Sequence, residues 1–249
     1  MLSIPCPGHP TAPSDAVESE AAYERLSSLV AGHDVVFLLT DSRESRWLPT
    51  ALCALHNTPC FNAALGYDTF LAMRHGHGCA SGRLGCYFCN DIVAPTDSTT
   101  NRTMDQQCTV ARPGLSFIAA ALVVELMAAC TQHTLGAAAP AMDAGKSDDD
   151  EGDGGAVLGP VPHALRGSLH GFTMAHFPAQ AFDRCVACSL PVVDALRARG
   201  YALVHDACAD PKCLSALTGL DELLEASLDF DEEDEEDEFG GEDDGFVEL

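Results

Sequence analysis

The pattern of apolar and polar positions predicts two helix–strand pairs in the first quarter of the chain. In order, they are a helix over 18–31, a strand over 34–39, a helix over 47–56 and a weaker strand over 59–63. The run over 34–39 is continuously apolar, which is typical of a strand buried on both faces of a parallel sheet. This alternation predicts an open α/β sheet.

The rest of the chain contains fewer regular elements. An irregular region over 75–112 precedes Pro113 and Gly114, which open a helix over 115–130. The alternation of residues over 163–177 predicts antiparallel strands. Three small helices are expected over 191–199, 201–208 and 220–227. The Ala-, Gly- and Asp-rich stretch over 136–160 predicts a flexible acidic insertion. We therefore expect one folded unit over 1–228 and a disordered acidic tail over 229–249.

The charge of the chain is concentrated at one end. The formal net charge is -25, and 16 Asp and Glu residues without any Lys or Arg lie from Asp221 onward. We do not expect the chain to bind nucleic acid. Neutralising phosphate groups needs clustered Lys and Arg residues, and the chain has only 13 of these. No secretory segment opens the sequence, and the apolar stretch over 115–130 is shorter than the roughly 20 residues of a membrane span. We expect a cytoplasmic protein without a membrane span, whose thiols serve metal or catalysis.

Two C-x-x-C pairs predict a metal site. Cys86 and Cys89 form the first pair, and Cys185 and Cys188 form the second, 95 residues later. Two residues between cysteines let both thiolates face one ion, and two such knuckles complete a tetrahedral zinc site with a structural role. The alternative is buried core cysteines or a redox pair. The nearby loop residues His75, His77 and Cys79 could also bind metal, although closely spaced loop histidines are more often incidental.

One cysteine stands apart from the other unpaired ones. Cys108 lies in a polar segment between Arg102 and Arg112, a setting that lowers a thiol pKa and suits a nucleophile. The composition of this segment alone does not decide between a catalytic and a passive role for Cys108. For the remaining cysteines outside the two pairs, packing is the better interpretation.

Several long motifs resemble one family. VFLLTDSRESRWLP, NAALGYDTFLAMRHG, LGCYFCNDIVAPTDSTTNRTMDQQCTVARPG and FDRCVACS are similar, in order, to the C-terminal region of the autophagy ubiquitin-like-protein-activating enzymes, within the ThiF/ubiquitin-activating superfamily. The resemblance covers most of residues 1–220. It implies a chain truncated at the N-terminus and part of a Rossmann-like adenylation domain of the ThiF type.

The resemblance also implies a reaction. ATP and Mg²⁺ adenylate the C-terminal glycine of a ubiquitin-like protein, and Cys108 then forms a thioester that passes to a conjugating-enzyme cysteine. The four paired cysteines match the family's zinc ligands, and Asp41 falls where the superfamily places a magnesium-binding aspartate. A carboxylate at the end of a strand suits this role, although Asp41 could also be a plain helix N-cap. A homodimer and a role in autophagy-linked protein transport are further implications.

Two features leave a second function open. The sequence contains no G-x-G-x-x-G after a strand and no P-loop, so most ATP-binding positions of the family have no counterpart. A non-catalytic, zinc-stabilised binding module is therefore the alternative. The tail ends Phe246-Val-Glu-Leu249 behind acidic residues, which resembles short motifs that autophagy ubiquitin-like proteins bind, so Phe246 and Leu249 are candidate partner-binding residues. A solubilising tail is the simpler alternative.

Overall fold

The computed structural model describes residues 2–76, 83–91, 93–96, 110–141 and 157–226. Its helices are α1 (Ala16–Ala31), α2 (Arg43–His56), α3 (Leu115–Gln132), α4 (Leu190–Arg199), α5 (Tyr201–Ala209) and α6 (Lys212–Thr218), and residues 220–226 are also helical. Its strands are β1 (Val36–Leu38), β2 (Cys60–Leu65), β3 (Thr69–Arg74), β4 (Ala164–Ser168) and β5 (Thr173–Phe177).

The strands form one mixed sheet in the order β1-β2-β3-β4-β5. Only β1 and β2 are parallel, joined by the crossover helix α2, and the other neighbours are antiparallel. The predicted α/β class and the antiparallel strands over 163–177 are confirmed. The prediction that the first strand is buried on both faces is wrong, because Phe37 is 41% exposed and only Leu38 is fully buried.

Two apolar cores lie against different parts of the sheet. Helix α3 buries Leu115, Ala119, Val123, Leu126 and Cys130 against β2 and β3, with the spacing of a single helical stripe. The second core joins α1, α2 and the C-terminal helices. At its centre the Trp47 indole is fully buried and donates to the carbonyl of Val186 over 2.8 Å. The C-terminal helices are therefore packed directly onto α2.

Two elements were not predicted from the sequence. Strand β3 follows β2 after a short turn closed by the bond from Gly66 N to Thr69 O, 2.8 Å long. Helix α6 lies between two predicted helices and covers seven residues. The first residues of the expected insertion over 136–160 are also packed, since the Arg74 guanidinium donates to the carbonyls of Ala139 and Pro140. The prediction of flexibility over 142–156 lies outside the described residues.

Helix α3 alone among the described helices has the length and apolar composition of a membrane span. A single helix of this kind is weak evidence, because the core helix of a globular protein passes the same test. One side of α3 packs on the sheet, and Phe117 and Val124 on the other side are exposed.

Candidate functional site

Asp41 lies between the carboxyl end of β1 and the first turn of α2. Its exposed side chain lines a cleft of about 740 Å³ between the α2 start and the N-terminal segment of the chain. The N-cap of α2 is Ser42, whose hydroxyl and backbone form a reciprocal capping box with Ser45. The alternative that Asp41 itself caps the helix is therefore wrong.

The cleft is acidic on several sides. Asp15, Glu18 and Glu44 line it together with Asp41. Glu44 is buried, and its Oε1 lies 3.6 Å from Nε2 of His9 in the N-terminal segment. Burial raises the pKa of the Cys6 thiol in the same wall to about 11, with smaller contributions from the Glu44 and Asp41 carboxylates. This concentration of negative charge suits a cation that would in turn hold phosphate groups.

The two arginines after Asp41 both have structural partners. Arg43 forms an ion pair with Asp91, and its Nη2 also donates to the carbonyl of Val93 over 2.9 Å. Arg46 is buried; it donates to the carbonyl of Ala63 over 2.8 Å and also bonds Asn62 and the carbonyl of Thr40. The first turn of α2 is thereby fixed both to β2 and to the segment over 91–93.

The four paired cysteines converge on one point. Their sulfur atoms all lie within 4.8 Å of one another, and all four residues are buried. The measured Sγ–Sγ distances are 3.8 Å for Cys86–Cys89, 3.6 Å for Cys86–Cys185 and 3.4 Å for Cys89–Cys188. A tetrahedral zinc ion with bonds of about 2.3 Å requires sulfur–sulfur edges of about 3.8 Å. The donor set and its spacing therefore fit one zinc ion.

The surroundings of the sulfur atoms favour negative charge. Backbone N–H groups of Cys86 and Phe182 point at Cys89 Sγ over 3.2 and 3.4 Å, and the Phe88 N–H points at Cys86 Sγ over 3.3 Å. Hydrogen bonds from the neighbouring thiols, that of Cys185 first, strongly lower the pKa of Cys89. Burial raises the pKa of the Cys86 thiol. A second thiolate next to that of Cys89 is therefore unfavourable without a cation. A divalent cation would remove that conflict.

His75 lies close to this cluster. It is buried, and neither ring nitrogen has a hydrogen-bond partner in the described part of the chain. Burial lowers its pKa to about 3, so the ring is neutral. It does not join the four-cysteine group as a fifth ligand.

Three predicted site residues fall in segments that are not described. Cys108, Phe246 and Leu249 lie outside the described residues, as do His77 and Cys79. Among the cysteines assigned to packing, Cys53, Cys60, Cys130 and Cys208 are buried, and Cys6 and Cys213 are half-buried.

Sequence reasoning missed the contacts that support the site. Neither the Arg43–Asp91 pair nor the Glu44–His9 contact has a motif, because each joins residues more than 30 positions apart. The only signal was the cluster of polar residues after the first strand.

The ThiF family model matches residues 9–145, more than half of the chain. The chain belongs to the ThiF family. The matched range includes Asp41, the first cysteine pair and Cys108, while the second pair lies beyond it.

Individual relatives agree with the family assignment. The chain is 45% identical over 252 residues to the ubiquitin-like modifier-activating enzyme ATG7 of Pichia angusta, covering 96% of this chain and 38% of that protein. The ATG7 enzyme of Cryptococcus neoformans var. neoformans serotype D (strain JEC21) is 45% identical over 260 residues, with 95% and 38% covered. The Dictyostelium discoideum enzyme is 38% identical over 250 residues, with 93% and 35% covered.

These ThiF relatives confirm the resemblance of the sequence motifs to the autophagy activating enzymes. The chain spans little more than a third of the length of the curated relatives it matches. The crystal structure of E. coli MccB aligns with a TM-score of 0.39 at 16% identity, over 67% of this chain and 42% of that chain, which decides nothing further.

Proposed function

We propose that this chain is the adenylation and thioester-forming portion of an enzyme that activates autophagy ubiquitin-like proteins. The observation that carries the proposal is the position of Asp41, at the carboxyl end of a parallel strand and open to a large cleft, in a chain of the ThiF family. Ligands of open α/β sheets gather at such strand ends.

In the first step, the C-terminal carboxylate of the ubiquitin-like protein attacks the α-phosphorus of ATP, forming an acyl-adenylate and releasing pyrophosphate. The residues fit a magnesium ion, because the Asp41 carboxylate is a hard oxygen ligand in an acidic cleft. Bound there, Mg²⁺ would neutralise phosphate charge as it develops on the leaving group. Glu44 and His9 shape the wall behind Asp41.

In the second step, the Cys108 thiolate attacks the acyl carbon, and AMP leaves. The resulting thioester then passes to a cysteine of a conjugating enzyme, which regenerates the Cys108 thiol. The support for Cys108 comes from its sequence setting, a polar segment flanked by two arginines that favours the thiolate. Arg112, four residues further along, is held beside the sheet. Its backbone N–H donates to the carbonyl of Tyr67 over 2.9 Å, and its Nη1 donates to the carbonyl of Leu169 over 2.8 Å.

The four-cysteine cluster has a structural role in this proposal. Four thiolates complete the tetrahedron and leave no position for water or substrate. Zinc there would fasten the loop over 86–89 to the N-terminal end of α4.

The proposal extends to assembly, recruitment and location. A homodimer is supported by the exposed apolar side of α3, where Phe117 is 77% exposed. Recruitment of the ubiquitin-like protein is assigned to Phe246 and Leu249 in the acidic tail. A cytoplasmic location is supported by the many free cysteines.

The alternative function is a non-catalytic, zinc-stabilised binding module that recruits ubiquitin-like proteins through its tail. It is favoured by the buried four-cysteine cluster, which forms without any nucleotide site.

A thioester assay separates the two functions. The purified chain is incubated with ATP, Mg²⁺ and an autophagy ubiquitin-like protein, alone and with the part of the Pichia angusta relative that this chain does not cover. We expect an ATP-dependent, thiol-sensitive adduct on non-reducing gels that is lost in Cys108→Ser and retained in the control Cys213→Ser. A zinc-loaded, folded chain without an adduct in either condition would establish the binding module instead.

A further inference from the structure

The end of the sheet at β5 is open. Strand β5 is the last in the sheet order, so its outer edge has no strand partner within the described ranges. Its residues are mostly exposed, including Met174 at 58% and Phe177 at 51%, and Phe172 before it is 81% exposed. An exposed edge with apolar side chains is normally blunted or covered.

A cleft on one face of the sheet begins at this edge. Strand register places Leu71 beside Arg166 and Met73 beside Ala164, and pairs Ala164 with Phe177, so these five side chains share one face. Helix α3 packs on residues of the opposite face, such as Phe70 and Ala72. This face, on which Met73 and Ala164 are buried and Phe177 is exposed, forms a cleft of about 530 Å³ that Tyr87 and Asn90 also line.

The cleft carries positive charge in an acidic protein. No Asp or Glu occurs from Val157 to Phe182, although the chain has 38 of them. At the rim, Asp91 is neutralised by Arg43. The exposed Arg166 makes no ion pair with any described residue. The apolar side chains of the cleft and the guanidinium of Arg166 together fit an extended peptide that contains both acidic and apolar residues.

The chain itself contains such a peptide. Residues 227–249 hold 13 Asp and Glu and no Lys or Arg. Their densest apolar stretch is the terminal one, Phe246-Val-Glu-Leu249, directly after Asp243 and Asp244. Charge and hydrophobic pattern are both complementary to the cleft.

The tether makes this occupant reachable. Extended at about 3.3 Å per residue, 23 residues span roughly 75 Å, whereas a folded chain of this size has a radius of gyration of about 18 Å. A tether of this length gives an effective concentration on the order of 1 mM. The tail therefore meets the cleft more often than a free peptide at micromolar concentration would.

We propose that the C-terminal segment over 243–249 docks within the same molecule in the cleft beside β5, with its carboxylates on Arg166 and its apolar side chains on the Phe177 side of the cleft. The docked tail shields the apolar edge, and it withholds Phe246 and Leu249 from other partners until it is displaced. The inference concerns this chain alone and stands whether or not the proposed activity is confirmed.

The test is a competition between the tethered tail and a free copy of it. A fluorescently labelled peptide of residues 240–249 is titrated by polarisation into the full chain and into the double variant Phe246→Ala/Leu249→Ala. We expect binding to the double variant and about tenfold weaker apparent binding to the unmodified chain, as a peptide Kd of about 0.1 mM and an effective concentration of about 1 mM imply. Adding Arg166→Ala to the double variant should weaken binding at least fivefold, and Arg197→Ala, on the exposed surface of α4, should leave it unchanged.

Three outcomes would overturn the proposal. Peptide that binds neither protein, or that binds regardless of Arg166, excludes the cleft as the docking site. Equal affinity for the unmodified chain and the double variant excludes docking in the same molecule. Sedimentation showing a dimer that requires Phe246 would assign the tail to a second copy instead. Thermal melts check that each variant is folded. We expect all of them to fold, because the changed side chains are exposed or in the tail.

Discussion

At the scale of single residues, four buried sulfur atoms bring two distant parts of the chain together. Cys188 directly precedes Ser189, the N-cap of α4, and the Val186 carbonyl between the second pair accepts from Trp47 in α2. A metal bound at this point would therefore fix the C-terminal helices to the helix that begins beside Asp41. Stability of the cleft and occupancy of the metal site should change together.

Removal of one metal ligand tests this coupling. Cys188→Ser should reduce zinc from one per chain to near zero and lower the free energy of unfolding by about 3 kcal/mol or more, because the remaining three sulfur atoms stay buried around an incomplete site. Cys213→Ser, a half-buried thiol outside the cluster, is the matched control. Metal analysis and urea unfolding provide the two readouts. Wild-type protein purified without zinc and equally stable would contradict the structural role.

His163 predicts a pH dependence. Its Nε2 lies 2.9 Å from the carbonyl of Gly85, and its Nδ1 accepts from the N–H of Ala179 over 3.0 Å, so the native ring is neutral. Burial lowers its pKa below 6.5, with Arg74 opposing and Cys89 favouring the charged form. Because the unfolded state binds the proton more readily, this stabilisation is present above pH 6.5 and is lost as the pH falls below it, by at most about 1.4 kcal/mol per pH unit.

The measurement compares urea unfolding at pH 7.5 and 5.5 for the wild type and His163→Gln, with zinc content followed at both values. Glutamine can donate and accept but does not titrate. The wild type should lose more of its free energy of unfolding than the variant between the two pH values. Equal losses would show that His163 does not titrate in this range.

At the scale of secondary-structure elements, β3 connects the site to the rest of the sheet. The buried Arg74 at its end donates to carbonyls on both sides of the undescribed segment over 142–156. These are the carbonyls of Ala137, Ala139, Pro140, Val161 and Pro162. One side chain thus joins the two stretches of described chain that flank this segment to the end of β3.

Arg74→Met should therefore destabilise the chain strongly. Methionine fills much of the volume but leaves several buried carbonyls without a donor, and we expect a loss of about 3 kcal/mol or more in the free energy of unfolding. The exposed Arg197→Met is the control and should change it by less than about 0.5 kcal/mol. Urea denaturation at constant zinc content measures both. A small effect of Arg74→Met would mean that water or relaxation satisfies the carbonyls.

Helix α3 carries a prediction about assembly. Its exposed apolar side should form the contact between two copies, so Phe117→Glu should convert a homodimer into a monomer without lowering the melting temperature of the protomer. Glu125→Gln, on an exposed position of the same helix, should leave the dimer intact. Sedimentation velocity separates the cases. A monomeric wild type, or a dimer that persists in Phe117→Glu, would refute this face as the interface.

The sequence alone predicts those elements whose determinants are local. The boundaries of α3 follow from Pro113 and Gly114 and a long apolar run, and the metal site follows from two identical spacings. Strand β3 lacks clear alternation, because Ala72, Met73 and Arg74 are all buried in succession. Arg74 itself looks like a surface residue until its five distant carbonyl partners are known. Antiparallel pairing across 90 residues has no local signal either.

At the scale of the whole molecule, charge is divided between two surfaces. The cleft at Asp41 is acidic, whereas the cleft at Arg166 is lined by residues of the segment over 157–182, which has no Asp or Glu, and by Asp91, which pairs with Arg43. In the docking proposal, the acidic tail should be repelled from the first cleft and attracted to the second. In the proposed function, Asp41 acts first, in adenylation, and Cys108 acts second, in thioester formation.

The most direct measurement follows ATP–pyrophosphate exchange and thioester formation in the same samples. The part of the Pichia angusta relative that this chain does not cover is added as a separate polypeptide. Asp41→Asn should lose both exchange and thioester, because adenylation needs the metal ligand. Cys108→Ser should keep exchange and lose only the thioester, because the nucleophile acts after adenylation. Exchange that persists in Asp41→Asn, or a thioester that persists in Cys108→Ser, would contradict the proposed function.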